Sequence, residues 1–223
     1  MKLHLFLVLF AAQSLRADWV IVENNIAGDQ NKPTTIKIKD NLIRSDMGDK
    51  MTVLLNATDG SVQMFMHAKK TLIRVNPATL KSMSALAGKF LAGGDDGLPV
   101  KPKATGEKVK VGEWDAEVYT WQSKIGSGKF YLSKDFPHFS ELNAAMEKIS
   151  KSMGNPMSSL YPSYADFPGM VVKSEMSMMG KPTTTELVSV KEGPLSDADF
   201  KAPEGYTEMK LPSFPGGAPA SKP

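Results

Sequence analysis

Apolar and polar residues alternate along most of the chain with a period of two, which is typical of half-buried β-strands. Residues 34–39 show this most clearly, because Ile36 and Ile38 share one face while lysines occupy the other. Turn signals such as Asp59-Gly60 separate the alternating runs. The pattern predicts an antiparallel meander with one apolar and one polar face. The predicted strands cover residues 19–23, 34–39, 42–46, 51–56, 61–67, 71–75, 107–111, 116–122, 128–132, 170–178 and 184–190.

Two segments have helical spacing instead. The first follows Asn76, a good N-cap, and Pro77, which suits the first helical position, and it should end before Gly93. The second covers residues 137–153. Strands and helices do not alternate one by one, so a parallel sheet is not expected. The predicted fold is mainly β, of the α+β class: a single curved antiparallel sheet, a half-barrel of about 10–11 strands, packed around two amphipathic helices.

Residues 1–17 have the pattern of a secretory signal peptide: a basic start, a short apolar run and a small residue, Ala17, at the expected cleavage site. The apolar run is shorter than the roughly 20 residues that span a bilayer. We therefore expect a periplasmic or secreted protein without a transmembrane span. The expected organisation is a leader at 1–17, a half-barrel domain at 18–210 and a disordered Pro/Gly-rich tail at 211–223.

The amino-acid composition and net charge exclude several kinds of functional site and partner. The absence of cysteine excludes disulfides, cysteine nucleophiles and a lipoprotein anchor. The net charge is +3, and cleavage after Ala17 would remove Lys2 and Arg16 and leave +1, which does not indicate a nucleic-acid partner. The histidines of the mature chain, His67 and His138, have no spacing that suits a metal site. We expect no catalytic residues, no metal and no cofactor, and therefore no enzyme.

Four stretches of sequence together resemble a bacterial family of exported proteins of unknown function. That family is itself similar to the LolA-like half-barrels of lipoprotein carriers. The resemblance covers most of the mature chain and implies an exported half-barrel with a hydrophobic cavity, but no established activity. The four stretches are residues 38–46 (IKDNLIRSD), residues 56–62 with 69–72 (NATDGSV and KKTL), residues 111–119 (VGEWDAEVY) and residues 200–206 (FKAPEGY).

Methionine is the unusual component, since seven of the 14 methionines fall within residues 146–179. Three interpretations remain open. The methionines fill an irregular core, they line an adaptable apolar pocket, or residues 176–179 bind Cu(I) together with Met64 and Met66. On the alternation of residues 170–178, the even positions should share one face. The candidate pocket consists of Met64, Met66, Phe139, Leu142, Met146, Met170, Val172, Met176 and Met178.

These observations favour an exported binding or carrier protein for an apolar, acyl- or lipid-like ligand, or an envelope accessory factor. A methionine-based Cu(I)-binding protein is the alternative. The expected partner is a hydrophobic small molecule or lipid, and the sequence does not determine the oligomeric state.

Overall fold

The computed structural model describes residues 18–79, 101–123, 126–152 and 162–209. The predicted leader, the predicted C-terminal tail and most of the first predicted helix lie outside these residues. Pro77 to Thr79 are helical, and the side-chain oxygen of Asn76 accepts a hydrogen bond from the Thr79 amide at 2.8 Å, as expected of an N-cap.

The described chain forms one sheet in which twelve strands lie in the order β12-β6-β5-β4-β3-β2-β1-β11-β10-β9-β8-β7. Every neighbouring pair is antiparallel except β12 with β6. The curved antiparallel half-barrel predicted from the sequence is therefore confirmed. The strands are β1 (Trp19–Ala27), β2 (Gln30–Lys39), β3 (Leu42–Met47), β4 (Met51–Asn56), β5 (Ser61–Met66), β6 (Thr71–Val75), β7 (Lys103–Val111), β8 (Trp114–Ser123), β9 (Gly126–Ser133), β10 (Met170–Met178), β11 (Lys181–Glu192) and β12 (Thr207–Glu208).

The inner face of the first six strands carries the main hydrophobic cluster. Pairing from β2 to β6 runs without register shifts, so residues directly opposite one another form a row across the sheet. This row is buried throughout and continues into Trp19 and Ile21 of β1. Its five members are Ile38, Ile43, Leu55, Val62 and Val75.

Helix α1 (Phe139–Ser152) packs against the same cluster. Leu142 is fully buried there, and Phe139 is partly buried beside it. The side-chain amide of Asn143 donates to the carbonyl oxygen of Gly169 at 3.2 Å, which joins the helix to the segment that leads into β10. Phe139, Leu142 and Met146, spaced three or four residues apart, thus form the contact between the helix and the sheet.

The predicted turns place glycine or a residue that tolerates positive φ where the backbone requires it. Asp40 adopts φ 52° between β2 and β3, and Gly60 adopts φ 67° before β5. Several strands extend beyond their predicted bounds, and β12 was not predicted. A two-residue strand carries too little periodicity to detect, and β12 forms only because the chain returns to pair with β6.

The C-terminal strap, residues 196–209, crosses the outer face of the sheet. Its 3₁₀ turn, Asp197–Phe200, is capped by Ser196. The Lys37 ammonium lies 2.5 Å from a carboxylate oxygen of Asp199, and Lys39 pairs with Asp197 at 2.6 Å. The strap therefore covers part of the polar face that the alternation predicted. A third cluster beneath it contains Leu54, Phe65 and Leu72, with Tyr206 packed against them.

No helix within the described ranges is both long enough and apolar enough to cross a membrane.

Candidate functional site

Six of the nine predicted pocket residues lie in or against the main hydrophobic cluster. Leu142 and Val172 have no exposed surface, and Met170 is 6% exposed. The sheet interior is therefore filled with protein side chains at these three positions, as in an ordinary close-packed core. The six residues are Met64, Phe139, Leu142, Met146, Met170 and Val172.

The expectation that the even positions of β10 share one face is wrong. A register shift between Val171 and Lys173 inserts one extra residue opposite β9. Val171 therefore shares its face with Met176 and Met178, whereas Met170 lies on the opposite face. Periodicity alone gives no sign of such a β-bulge.

The three remaining predicted residues lie elsewhere. Met176 and Met178 pack against a second hydrophobic cluster, whereas Met66 lies on β5 and is 39% exposed. Five strands separate β5 from β10 in the sheet order, and the methionines of the two strands belong to different clusters. The structure does not bring together the methionines of the Cu(I) hypothesis.

The second cluster borders a groove of about 680 Å³ across β8, β9, β10 and β11. We refer to it as the β8–β11 groove. Its lining includes a row of four residues directly opposite one another on the four strands. These residues are Trp121, Gly128, Met176 and Thr183.

Gly128 has no side chain, so neighbouring side chains occupy the space above it. A Cβ atom at Gly128 would lie 3.3 Å from Met176 Cγ and 3.3 Å from Phe130 Cε2, so both side chains lean over the glycine. Trp121 is 3% exposed, whereas Met176 is only partly buried. Of these two side chains, Met176 is therefore the one that a ligand can contact, whereas Trp121 belongs to the buried cluster.

Positive charge borders the groove. Its lining includes Lys101, Lys103 and Lys129, and the strand register places Lys103 and Lys129 on the face of the sheet opposite to Met176. Lys101 lies 3.8 Å from Asp166, whereas no carboxylate among the described residues lies within ion-pair distance of Lys103 or Lys129. The Thr120, Gln122, Ser127 and Thr184 side chains add uncharged polar groups to the lining.

The acid of the groove, Glu175, is already partnered. Its carboxylate accepts hydrogen bonds from Lys173 at 2.8 Å and from the Tyr131 hydroxyl at 3.1 Å. The Lys173 contact is the main cause of a lowered pKa for Glu175, against the opposing effect of burial. Glu175 is therefore ionised and neutralised by Lys173, and the groove keeps a positive balance.

A partly buried polar cluster on the inner face was missed in the sequence. Glu23 follows Trp19 and Ile21 on the same face of β1, and burial raises the pKa of its carboxyl. Burial, with the nearby Glu23 and Glu147 carboxylates, raises the pKa of Tyr164 to about 12. The signal was present in the sequence, because the alternation of residues 19–23 puts an acid on the apolar face.

The two histidines of the described chain lie in different parts of the fold. His67 turns away from Met64 and Met66, as expected from the alternation, and contacts Thr52 and Tyr206 on the outer side. His138 lies beside Trp19 at the start of α1. No group of three or more His, Asp or Glu side chains within the described ranges is arranged to hold a metal ion.

The protein is thus a curved antiparallel half-barrel with a groove that is lined in part by lysines. The chain belongs to the family described as Domain of unknown function (DUF4412), whose model matches residues 23–206. All four stretches that carried the sequence resemblance lie within this match, and the family prediction is confirmed. A comparison with curated proteins found no match.

Solved structures of similar fold share little sequence with this chain. One is PNGF-II, with 12% identity, a TM-score of 0.40, and coverage of 87% of this chain and 32% of PNGF-II. Another is the Pseudomonas aeruginosa MucA/MucB complex, with 12% identity, a TM-score of 0.45, and coverage of 88% and 59%. A DUF1329 family protein from Desulfovibrio piger has 12% identity, a TM-score of 0.34, and coverage of 83% and 89%. The chain thus spans about a third of PNGF-II.

Proposed function

We propose that this protein is an exported, non-enzymatic binding protein, and that its ligand is an apolar chain with an anionic head group held in the β8–β11 groove. A fatty acid is the simplest molecule of this class. The observation that carries the proposal is that one groove is lined both by Met176, an accessible apolar side chain, and by Lys103 and Lys129, which lie on the opposite face of the sheet from Met176.

Met176 is the side chain of the groove that would contact the apolar chain of a ligand. Met176 is partly buried on a strand, and an unbranched thioether can change rotamer to fit chains of different shape. A groove of about 680 Å³ also lies within the usual range for small-molecule sites. By contrast, Leu142 and Val172 have no exposed surface and offer a ligand nothing to contact. The groove is therefore the better site for an apolar chain.

The lysines of the groove would attract the anionic head group of a ligand. With Glu175 neutralised by Lys173, the charges left at the groove are cationic. An ammonium group at the end of a flexible stem attracts a carboxylate or phosphate from solution. The groove should therefore distinguish a fatty acid from an alcohol of the same chain length.

The binding experiment uses isothermal titration of the purified protein with palmitate and, separately, with hexadecanol. We expect palmitate to bind more tightly. The double variant Lys103→Gln/Lys129→Gln should weaken palmitate binding roughly tenfold, the effect of losing about two exposed charge contacts, and should leave hexadecanol binding unchanged. Lys50→Gln/Lys69→Gln, at exposed lysines of the β3–β4 and β5–β6 turns, is the matched control. Absence of palmitate binding to the unaltered protein would contradict the proposal.

A second variant tests the apolar contact of the groove. Met176→Gln replaces the thioether with an amide of similar length and should weaken both ligands, whereas Met66→Gln, at an exposed methionine of β5, should weaken neither. If Met64→Gln weakened binding and Met176→Gln did not, the ligand would lie in the sheet interior. Export is tested separately by N-terminal sequencing of the protein from a bacterial periplasm, where the chain should begin at Asp18.

A further inference from the structure

Three methionines lie side by side at one rim of the inner face. Met47 of β3 is directly opposite Met51 of β4, and Met51 is directly opposite Met66 of β5. The same register puts Thr34 of β2 and Thr71 of β6 at the two ends of this row. Residues directly opposite on neighbouring antiparallel strands share a face and have Cβ atoms about 4.5–5.5 Å apart. We refer to Met47, Met51 and Met66 as the methionine row.

Backbone hydrogen bonds hold the three strand ends together. The Lys50 amide donates to the Met47 carbonyl at 3.2 Å within the β3–β4 turn, and the Gly48 amide donates to the Pro33 carbonyl of β2 at 3.1 Å. The His67 amide donates to the Lys50 carbonyl at 2.9 Å, which joins the end of β5 to the same turn. The backbone beneath the methionine row is therefore fixed on both sides, and a ligand requires rotation of side chains alone.

The methionine row lies outside the described hydrophobic core. It is on the same face as the buried row from Ile38 to Val75, four residues away from it along each strand. Met66 is 39% exposed, and the other two are partly exposed. Met64 packs against the main cluster, but no member of the methionine row is among the side chains that pack against a cluster of the described residues. Core packing within these residues therefore does not account for the three thioethers.

We propose that the methionine row is a binding site for Cu(I), held by its three thioether sulfurs. Thioether sulfur is a soft donor of the kind that selects Cu(I). Methionine is unbranched and has three rotatable bonds, so Met47 and Met66 can bend from the two flanking strands toward Met51. The chain contains no cysteine, and methionine is therefore its source of sulfur ligands. This site is separate from the β8–β11 groove and does not depend on its ligand.

The polar side chains beside the methionine row have partners of their own. The ring nitrogens of His67 contact the Tyr206 hydroxyl and Oγ1 of Thr52 on the outer face of the sheet. Oγ1 of Thr34 accepts from the Asn25 side-chain amide at 3.0 Å. The ligand set is therefore three neutral sulfurs, which suits a soft monovalent ion better than Zn²⁺, whose sites use thiolate, imidazole or carboxylate ligands.

Strand register distinguishes this site from the Cu(I) hypothesis drawn from the sequence. That hypothesis joined residues 176–179 to Met64 and Met66, and Met66 is the member that the two sets share. Met47 and Met51 flank a short turn, and pairing of β4 with β5 then places Met66 beside them. The dense methionine segment of the sequence contributes no ligand to the methionine row.

The binding experiment uses the full chain and the metal alone. Cu(I) is titrated without oxygen against a colorimetric Cu(I) chelator, and Ag(I), which has the same closed-shell configuration, is titrated into protein with ¹³C-labelled methionine methyl groups. We expect one Cu(I) to bind per chain, and Ag(I) to shift the methyl resonances of Met47, Met51 and Met66. Zn²⁺ should leave these resonances unchanged. X-ray absorption of the Cu(I) complex should show sulfur neighbours without nitrogen.

Leucine replaces each sulfur donor with an apolar side chain of similar volume, so the fold should be kept. A change outside the ligand shell already costs about 10–100-fold in metal affinity, and loss of one ligand in Met51→Leu should therefore weaken Cu(I) binding at least about tenfold. The triple variant Met47→Leu/Met51→Leu/Met66→Leu should lose it. Met209→Leu, at a methionine 48% exposed on the strap, is the matched control and should retain it.

Circular dichroism of each variant reports whether the sheet is folded. Absence of Cu(I) binding to the unaltered protein, unchanged affinity in the folded triple variant, or Ag(I) shifts spread evenly over all methionines would overturn the proposal. Palmitate binding to the triple variant should equal that of the unaltered protein. The titrations with metal and with palmitate therefore test the methionine row and the β8–β11 groove separately.

Discussion

The thioether of Met178 lies across Gly126 of the neighbouring strand. The two residues are directly opposite each other in β10 and β9, and a Cβ atom built on Gly126 would overlap both Met178 Sδ and the Ser177 carbonyl oxygen. The sulfur thus occupies space that any other residue would fill with its own side chain. The second cluster therefore depends on glycine at this position.

Gly126→Ala should reduce the free energy of unfolding by about 1–3 kcal/mol, because the Met178 side chain can move but the Ser177 backbone oxygen cannot. Urea unfolding measures the change. Gly193→Ala is the matched control, since a Cβ atom there meets nothing within 4 Å, and it should change stability by no more than about 0.5 kcal/mol. Equal effects of the two substitutions would show that the overlap at Gly126 is relieved without cost.

Phe65→Ala should destabilise the protein by about 3–5 kcal/mol, because the ring is 1% exposed and forms the base on which Tyr206 packs. The strap should also lose protection from hydrogen exchange at neutral pH. Val188→Ala, at a residue 50% exposed, should cost far less in the same urea titration. A strap that stayed protected in Phe65→Ala would mean that polar contacts alone hold it in place.

Asp46→Asn should reduce stability at pH 7 by about 1–3 kcal/mol, because it weakens hydrogen bonds from Arg44 and Thr52. Since the folded-state pKa of Asp46 is below the ordinary value of 3.8, its contribution is complete above that pH and is lost as the pH falls through the folded-state pKa. The difference between variant and unaltered protein should therefore disappear in strong acid. Urea titrations at pH 7, 4 and 2.5 measure it, with the exposed Asp49→Asn as the control.

Glu23→Gln should increase the free energy of unfolding at pH 7, whereas Asp46→Asn should reduce it. Burial raises the folded-state pKa of Glu23 above 4.5, so ionisation of the carboxyl reduces stability progressively as the pH rises through that pKa. The neutral amide avoids this cost, and the variant should be more stable at pH 7 by roughly 1 kcal/mol, with the gain absent at pH 4. The exposed Glu192→Gln should show no such gain. A less stable Glu23→Gln at pH 7 would mean that the carboxylate makes contacts that the amide cannot replace.

The local signals predicted much of the fold. Alternating residues defined β3 to β6 to within one residue at each end, since each of these strands has one apolar and one polar face and a short turn between it and the next. Family membership followed from the order of the four stretches. The candidate site was predicted less well, because one bulge after Val171 separates Met170 from Met176 and Met178, although they are close in sequence.

The sequence by itself determined most of the elements, their antiparallel character and the apolar faces of β2 to β6, because these depend on side-chain period and turn chemistry over a few neighbouring residues. Only the tertiary structure decided which residues from distant strands meet. The row from Trp121 to Thr183 joins four strands, and a chain of hydrogen bonds through Thr52 and His67 joins Asp46 to Tyr206 across 160 positions of the chain. Such contacts depend on strand order, register and one β-bulge, which long-range pairing sets and which local periodicity does not record.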